Sequence, residues 1–199
     1  MYGKSIRKLP VTVEEVVIET VWSDNTLRSN NTRVVLTTYG SHITWDVVMD
    51  FRPATKNDLK TVMTWVPNAE SCLVWAGPRV KFPLQLEQLY QDIEFEKTST
   101  YSLYSEKRLI ALGQIRMFKN SRGHLSRIVV NPSSRGKGVG RIFVRALINE
   151  AKGLNCQVIS LNVVKANLIA TRLYKGLGFV IPAKQPDNVR ENIVYMELG

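Results

Sequence analysis

Six consecutive residues combine glycine with positive charge in a way that suits anion binding. They are Arg135, Gly136, Lys137, Gly138, Val139 and Gly140, and Arg141 follows them. Glycine lets the backbone adopt positive φ, and a helix beginning here would offer unpaired N–H groups and a partial positive charge. The segment therefore predicts a phosphate-binding turn, although an isolated Gly-x-Gly with basic neighbours is also typical of a solvated surface loop.

Two widespread phosphate-binding motifs do not fit this turn. The P-loop needs Ser or Thr after its Gly-Lys pair, whereas Gly138 follows Lys137. The dinucleotide fingerprint needs a third glycine where this chain has Arg141, and the next strand has no acidic residue near its end. Neither a nucleoside-triphosphate loop nor a dinucleotide site is predicted.

A regular order of strands and helices surrounds the turn. Helical patterns occupy residues 55–65, 84–94, 138–151 and 167–177. Strand patterns occupy residues 100–104, 109–118, 124–130, 158–164 and 193–198, with a further strand near Phe179. Thr55 and Asp58 have the spacing of a capping box at the start of the first helix. This order predicts a mixed α/β fold with helices packed on a central sheet.

The first part of the chain differs from the rest. Residues 33–39 and 43–51 are rich in β-forming residues and flank a turn predicted at Gly40 and Ser41. We expect residues 1–48 to be an N-terminal extension that contains strands or is partly mobile. Residues 49–199 are expected to form the functional domain.

The charge balance favours an anionic ligand. Residues 1–48 contain five basic and five acidic residues, so residues 49–199 carry the whole net charge of +10. Glu14, Glu15 and Glu19 interrupt any signal peptide, and no apolar run is long enough for a membrane span, so a cytoplasmic protein without a membrane partner is expected. Two cysteines and no Cys/His cluster predict neither a disulfide framework nor a metal site.

The turn and its flanks resemble the GNAT superfamily of acyl-CoA-dependent N-acyltransferases. Arg135, Gly138 and Gly140 are similar to the family's motif A, Arg/Gln-x-x-Gly-x-Gly/Ala, and residues 127–132 are similar to the strand before it. The second motif is matched by Asn167, Ala170, Leu173, Tyr174, Gly178 and Phe179. The resemblance covers residues 49–199. It implies a mostly antiparallel sheet of about six or seven strands flanked by about four helices.

The resemblance also implies acetyl-CoA as acyl donor. Its pyrophosphate would lie on the turn formed by Arg135, Gly136, Lys137, Gly138, Val139, Gly140 and Arg141. The backbone of Ile128, Val129 and Val130 would pair with the pantetheine arm as a neighbouring strand would, and a run of apolar residues is equally typical of a buried strand. Asn167 would cap a helix and contact the same arm.

Two side chains are candidates for proton transfer. Tyr174 matches the family's tyrosine that approaches the CoA sulfur, and we predict it to be the general acid, although its helical spacing also suits a core residue. The general base is less clear, because many members have a glutamate on the preceding strand and this chain has none. His124 is a candidate, with a water chain or an already neutral amine as alternatives. Cys156 as an acyl carrier is the less favoured interpretation.

An amine is the expected acceptor, on a small molecule or a protein. Trp65, Trp75 and Phe82 are predicted to line its pocket, with core packing as the alternative. Acidic residues that would favour a polycation are Glu70, Glu87, Asp92, Glu94 and Glu96. The sequence thus predicts an N-acetyltransferase, monomeric or homodimeric, with a non-catalytic acyl-CoA-binding module as the alternative. No nucleic-acid partner is expected, since no recognition motif accompanies the charge.

Overall fold

A computed structural model describes residues 32–36 and 47–199 as one sheet with helices on both faces. The strands in this part of the chain are β1 (Thr32–Leu36), β2 (Val47–Pro53), β3 (Ser99–Ser105), β4 (Arg108–Phe118), β5 (Arg122–Val130), β6 (Val158–Val164) and β7 (Ile193–Leu198). The α-helices are α1 (Lys56–Met63), α2 (Ala69–Ala76), α3 (Leu86–Asp92), α4 (Val139–Gly153) and α5 (Leu168–Lys175). The predicted mixed α/β fold with a mostly antiparallel sheet is confirmed.

The sheet follows the order of the chain. Its strands lie in the order β1 to β7, and every neighbouring pair is antiparallel except β5 and β6. Near Phe179, where a strand was predicted, the described chain has an isolated bridge between Val180 and Glu197. β1 belongs to the predicted extension and pairs with β2. The turn predicted at Gly40 and Ser41 lies outside the described residues, and the division at residue 48 stays a prediction.

Local sequence signals account for most helix ends. Thr55 and Asp58 form the predicted capping box at the start of α1. The sequence patterns omitted α2, which is short and begins at a second box made by Asn68 and Ser71. Asn167 caps α5, as predicted, by accepting a hydrogen bond from the backbone N–H of Ala170. No helix in the described part of the chain is long and apolar enough to cross a membrane.

Helix α4 fills the larger core against one face of the sheet. Its apolar side chains at helical spacing are buried, with Phe143 and Leu147 fully enclosed. Gly113 of β4 lies directly beneath them, because a Cβ at that position would lie 3.0 Å from Phe143 and 3.1 Å from Leu147. The absence of a side chain at Gly113 therefore lets α4 pack closely on the centre of the sheet.

Helices α1 to α3 cover the opposite face. Two apolar clusters lie there, one around Leu59 and Leu89 and one around Trp65 and Leu112. A buried carboxylate ties α1 to β3: Asp58 accepts hydrogen bonds from the Thr55 N–H at 2.8 Å, from the Ser102 hydroxyl at 3.0 Å and from the Tyr104 hydroxyl. Burial of this charge is tolerated because three donors solvate it.

Candidate functional site

Strands β5 and β6 separate part-way along their length. Their parallel pairing begins at Arg122 with Val158 and ends at Leu125 with Leu161. Beyond that point β5 pairs with β4 alone, and the remainder of β6 pairs with β7 alone. We call this opening, between residues 126–130 and 162–164, the strand split. It leaves unpaired edges inside the sheet, and such edges are templates for an extended ligand carrying amide groups.

A β-bulge in β5 lies at the start of the split. Leu112 pairs with Val129 and Gln114 with Ser126, so Gly113 alone faces both Arg127 and Ile128. Arg127 has φ of +50°, which is unusual for a residue with a side chain. Bulges bend a strand and increase its twist. The bulge therefore gives a physical reason for β5 to turn away from β6 at this point.

The split exposes backbone groups of Val130. The Asn131 N–H donates to the Ile110 carbonyl at 2.9 Å, so residue 131 faces β4. Because the direction of backbone groups alternates along an antiparallel pair, the N–H and C=O of Val130 point towards the split. The Arg135 Nε donates to the Val130 carbonyl at 3.2 Å. The Val130 N–H thus remains the group available to a ligand in the split.

The predicted phosphate-binding turn lies beyond the end of β5 and leads into α4. Gly136 and Gly138 have φ of +73° and +78°, and a Cβ at either would meet no atom within 4 Å. Glycine is therefore favoured at these two positions by the positive φ, and not by any lack of room for a side chain. Gly138 caps α4 without a side-chain hydrogen bond. In the described chain, the N–H groups of residues 136–140 donate to no backbone acceptor, which leaves an anion-binding helix start.

Other members of the turn have structural contacts. A Cβ at Gly140 would lie 3.0 Å from Leu173, so this glycine lets α4 and α5 pack closely. Val139 is buried at the start of α4. The Lys137 ammonium donates to the Ser133 carbonyl at 2.9 Å, and the Arg141 guanidinium donates to the Gly176 carbonyl at 3.1 Å. Arg141 therefore joins the two helices, while Arg135 and Lys137 stay on the turn.

Tyr174 lies in α5, in the core beside α4. It is 9% exposed, its ring packs edge-on against Phe179, and burial raises the pKa of its phenol to about 12. Its hydroxyl has no hydrogen-bond partner among the described residues. The phenol is therefore protonated at neutral pH and has a proton to donate.

His124 lies near the start of β5, on the paired side of the split. Its Nδ1 is 2.9 Å from the Ser160 hydroxyl, which in turn donates to the Gly123 carbonyl at 3.2 Å. A hydroxyl has one proton to give, so Nδ1 carries the hydrogen and Nε2 is the free acceptor. Burial, with the positive charges of Arg116 and Arg127, lowers the pKa of His124 to about 4. Val130 is six residues further along, roughly 20 Å at the rise of a strand.

The three predicted pocket aromatics are in different environments. Trp65 is buried against Leu112 and Val129. Trp75 of α2 donates its indole N–H to the Arg127 carbonyl at 2.8 Å, which places it at the bulge. Phe82 lines a hollow of about 230 Å³ between Val80 and Asp92. The structure thus brings Trp75 to the strand split, whereas Trp65 packs in the core and Phe82 lies beside α3.

Arg127 lies at the bulge beside the strand split, and sequence reasoning assigned no role to its side chain. Its Nη1 donates to the Gln114 side-chain carbonyl at 2.8 Å, and the Gln114 amide donates to Thr100 and to the Ile93 carbonyl. The Arg127 Nε and the Ser126 hydroxyl are buried without a partner in the described chain. The signal in the sequence was a charged residue directly before the apolar run of residues 128–130.

Cys156 does not belong to the site. It is buried against Gly123 and Met117, and burial raises the pKa of its thiol. A protonated thiol enclosed in this way is poorly suited to carrying an acyl group. No cluster of potential metal ligands occurs in residues 32–36 and 47–199.

The stretch of sequence that forms the split and the turn matches a protein-family model. The model of the Acetyltransferase (GNAT) family matches residues 67–179, which include the bulge, the glycine turn, Asn167 and Tyr174. The match covers more than half of the chain.

Individual relatives are similar over shorter stretches. The uncharacterized N-acetyltransferase YobR of Bacillus subtilis is 38% identical over 79 residues, 40% of this chain and 32% of that protein. The L-amino acid N-acyltransferase MnaT of Escherichia coli is 34% identical over 59 residues, 30% of this chain and 34% of that protein. The chain thus spans about a third of the length of these two curated relatives.

Solved structures share the fold at lower sequence identity. The spermidine N-acetyltransferase of Vibrio cholerae, crystallised with CoA and spermine, has a TM-score of 0.60 and 22% identity. The alignment covers 75% of this chain and 94% of that one.

Proposed function

Because this chain belongs to the GNAT acetyltransferase family, we propose that it transfers an acetyl group from acetyl-CoA to a primary amine. The observation that carries the proposal is the strand split leading to a helix start with free N–H groups. An extended chain of amides ending in a pyrophosphate fits both features. The residues present are therefore suited to acetyl-CoA as donor.

The glycine turn would hold the pyrophosphate. The N–H groups of residues 136–140 would donate to phosphate oxygens, with Arg135 and Lys137 adding positive charge. The backbone of Ile128, Val129 and Val130 would bind the pantetheine arm along the split. Asn167, which caps α5, would contact the same arm. Arg141, hydrogen-bonded to Gly176, would act by holding α4 and α5 together.

The amine would attack the thioester carbonyl carbon directly, without an acyl-enzyme. A C–N bond forms and the C–S bond breaks, so the products are an amide and CoA. The Val130 N–H would donate to the carbonyl oxygen as negative charge develops there. Tyr174 would give its phenolic proton to the departing sulfur and regain one from the proton lost by the amine, through water.

His124 would act as a hydrogen-bond acceptor rather than a strong base. Its pKa of about 4 keeps the imidazole neutral at physiological pH, with Nε2 free. A general base that takes the proton from the amine works best with a pKa near neutrality, and the pKa of His124 is well below that. We therefore assign proton removal to water or to prior loss of a proton from the amine rather than to His124.

The relatives differ in the amines that their names state. MnaT is named as acting on L-amino acids, and the Vibrio enzyme on spermidine. L-Amino acids and spermidine both carry primary amines, which is the class of acceptor that we propose for this chain. Trp75, at the bulge, would form one wall of the acceptor pocket. Trp65 would support that wall from the core, and Phe82 would lie at its margin.

Calorimetry with acetyl-CoA tests donor binding, and release of free thiol tests transfer. A glutamate at position 138 would bring a negative charge to the turn, and its backbone would have to adopt the positive φ of Gly138. Gly138→Glu should therefore abolish acetyl-CoA binding. The matched control is Gly153→Glu, at the far end of α4, where a Cβ meets no atom within 4 Å. Equal binding by both variants would contradict the proposed site, and binding without turnover of any amine would support a non-catalytic module instead.

A further inference from the structure

The side chain of Arg127 supplies chemistry that the transfer reaction does not use. We infer that the acceptor amine carries a carboxylate and that the free edge of the Arg127 guanidinium binds it. The acceptor class is then an amino acid rather than a polyamine. This inference rests on the proposed acetyl transfer and specifies its acceptor.

The bulge fixes Arg127 beside the strand split. Its carbonyl accepts the Trp75 indole N–H, and its Nη1 donates to the Gln114 side-chain carbonyl. Gln114 is itself held, because its amide donates to Thr100 at 2.9 Å and to the Ile93 carbonyl at 3.3 Å. Backbone and side chain of Arg127 are thus both anchored. A strained φ of +50° maintained by such contacts is typical of a functional position.

One edge of the guanidinium is left without a partner. Nη1 is occupied, whereas Nε is buried with no hydrogen bond, and Nη2 makes none with the described residues. Nε and Nη2 form a planar fork that matches the two oxygens of a carboxylate. The ion pairs of the described chain do not include Arg127. A half-buried cation with two unpartnered donors is therefore suited to an anion.

The acidic residues nearby are already engaged. Glu94 pairs with Arg116, and Asp92 accepts from Gln88 at 2.6 Å. On the adjoining surface, Glu87 pairs with Lys56 and Glu96 accepts from the Tyr90 hydroxyl. Burial and the charges of Arg116 and Arg79 lower the pKa of Arg127, whereas Glu94 and Asp92 raise it. Three guanidinium groups, those of Arg79, Arg116 and Arg127, thus lie near two carboxylates, which leaves an excess of positive charge around the fork.

The position of the fork limits the size of the acceptor. Arg127 lies at the start of the split, three residues before Val130 on β5, which is roughly 10 Å at the rise of a strand. A carboxylate bound there would hold an amine of the same small molecule close to the thioester. Amino acids have this pairing of groups, whereas spermidine has no carboxylate.

The test compares acids with their amides in a thiol-release assay. L-leucine, L-methionine and L-glutamate would each be assayed beside the matching α-amide, with spermidine as a further acceptor. Wild type should favour the acids by about 10- to 100-fold in kcat/KM, the factor expected for one charge-assisted hydrogen-bonded pair. Arg127→Gln should remove most of that preference, so its ratio of kcat/KM for each acid to that for the matching amide should fall towards one. Arg127→Lys should restore part of it, since the charge remains but the fork does not.

The control variant is Arg108→Gln, which removes an exposed arginine at the start of β4 and should keep the preference. If wild type acetylates the amides or spermidine with a kcat/KM equal to that for the acids, the inference is overturned and the transferase function is left intact. If no amine is acetylated, the proposed reaction fails, and calorimetry decides the inference separately. CoA-loaded protein should bind N-acetyl-L-leucine at least tenfold more tightly than N-acetyl-L-leucinamide, and only with Arg127 present. Equal binding of the two would refute it.

Discussion

Acidification should destabilise this protein through one buried histidine. In the folded chain the imidazole of His124 stays neutral until about pH 4, because burial and the neighbouring Arg116 and Arg127 disfavour its charged form. In the unfolded chain the same imidazole has its ordinary pKa of 6.5 and binds a proton below that value. The unfolded state therefore binds more protons between pH 6.5 and 4, and the free energy of unfolding falls as pH decreases through this range.

The size of the effect follows from the two pKa values. Their separation corresponds to a loss of about 3 kcal/mol when pH falls from above 6.5 to 4, of which about 2 kcal/mol is lost by pH 5. Stability contributed by this group is complete above pH 6.5. A typical domain has a free energy of unfolding of about 5–15 kcal/mol, so a loss of this size is a substantial part of the total.

Urea unfolding of wild type and His124→Gln at pH 7.5, 6.0 and 5.0 measures how much of the free energy of unfolding is lost through His124. Glutamine can still donate to the Ser160 hydroxyl but does not titrate, and every other ionisable group is common to both proteins. The free energy of unfolding of wild type should therefore fall by about 2 kcal/mol more than that of the variant between pH 7.5 and 5.0. Parallel pH dependences would refute the argument, because they would mean that His124 binds protons equally in the folded and unfolded states.

Two further substitutions test the site and the packing behind it. Tyr174→Phe should bind acetyl-CoA as wild type does but lower kcat about 100-fold, the typical contribution of a general acid, and an unchanged kcat in the thiol-release assay would exclude this role. Gly123→Ala should lower the free energy of unfolding by about 2 kcal/mol, because its Cβ would lie 2.8 Å from the Cys156 sulfur. Adding Cys156→Ala removes that sulfur and should recover most of the loss in urea unfolding, whereas simple addition of the two losses would show that the contact is not the cause.

Local sequence patterns were sufficient where the structure depends on neighbouring residues. The capping box of Thr55 and Asp58, the Asn167 cap and the amphipathic α4 follow from residue types a few positions apart, so their approximate positions could be predicted. The same is true of Gly136 and Gly138, whose positive φ is a local backbone requirement. A short helix such as α2 carries too little periodicity to be recognised in this way.

Tertiary structure decided the chemistry of the individual side chains. The pKa of His124 depends on its burial in the assembled fold and on the charge of Arg116, which belongs to the neighbouring strand β4. The split and the bulge depend on pairing among β4, β5 and β6, which no single strand specifies. Arg127 became a candidate for binding the acceptor only once Gln114 and Trp75 were seen to hold it. The glycine turn at the start of α4 could be located from residue types alone, because the conformation it needs is a local property of the backbone. Burial and charge are collective properties, so the environment of each side chain followed only from the assembled fold.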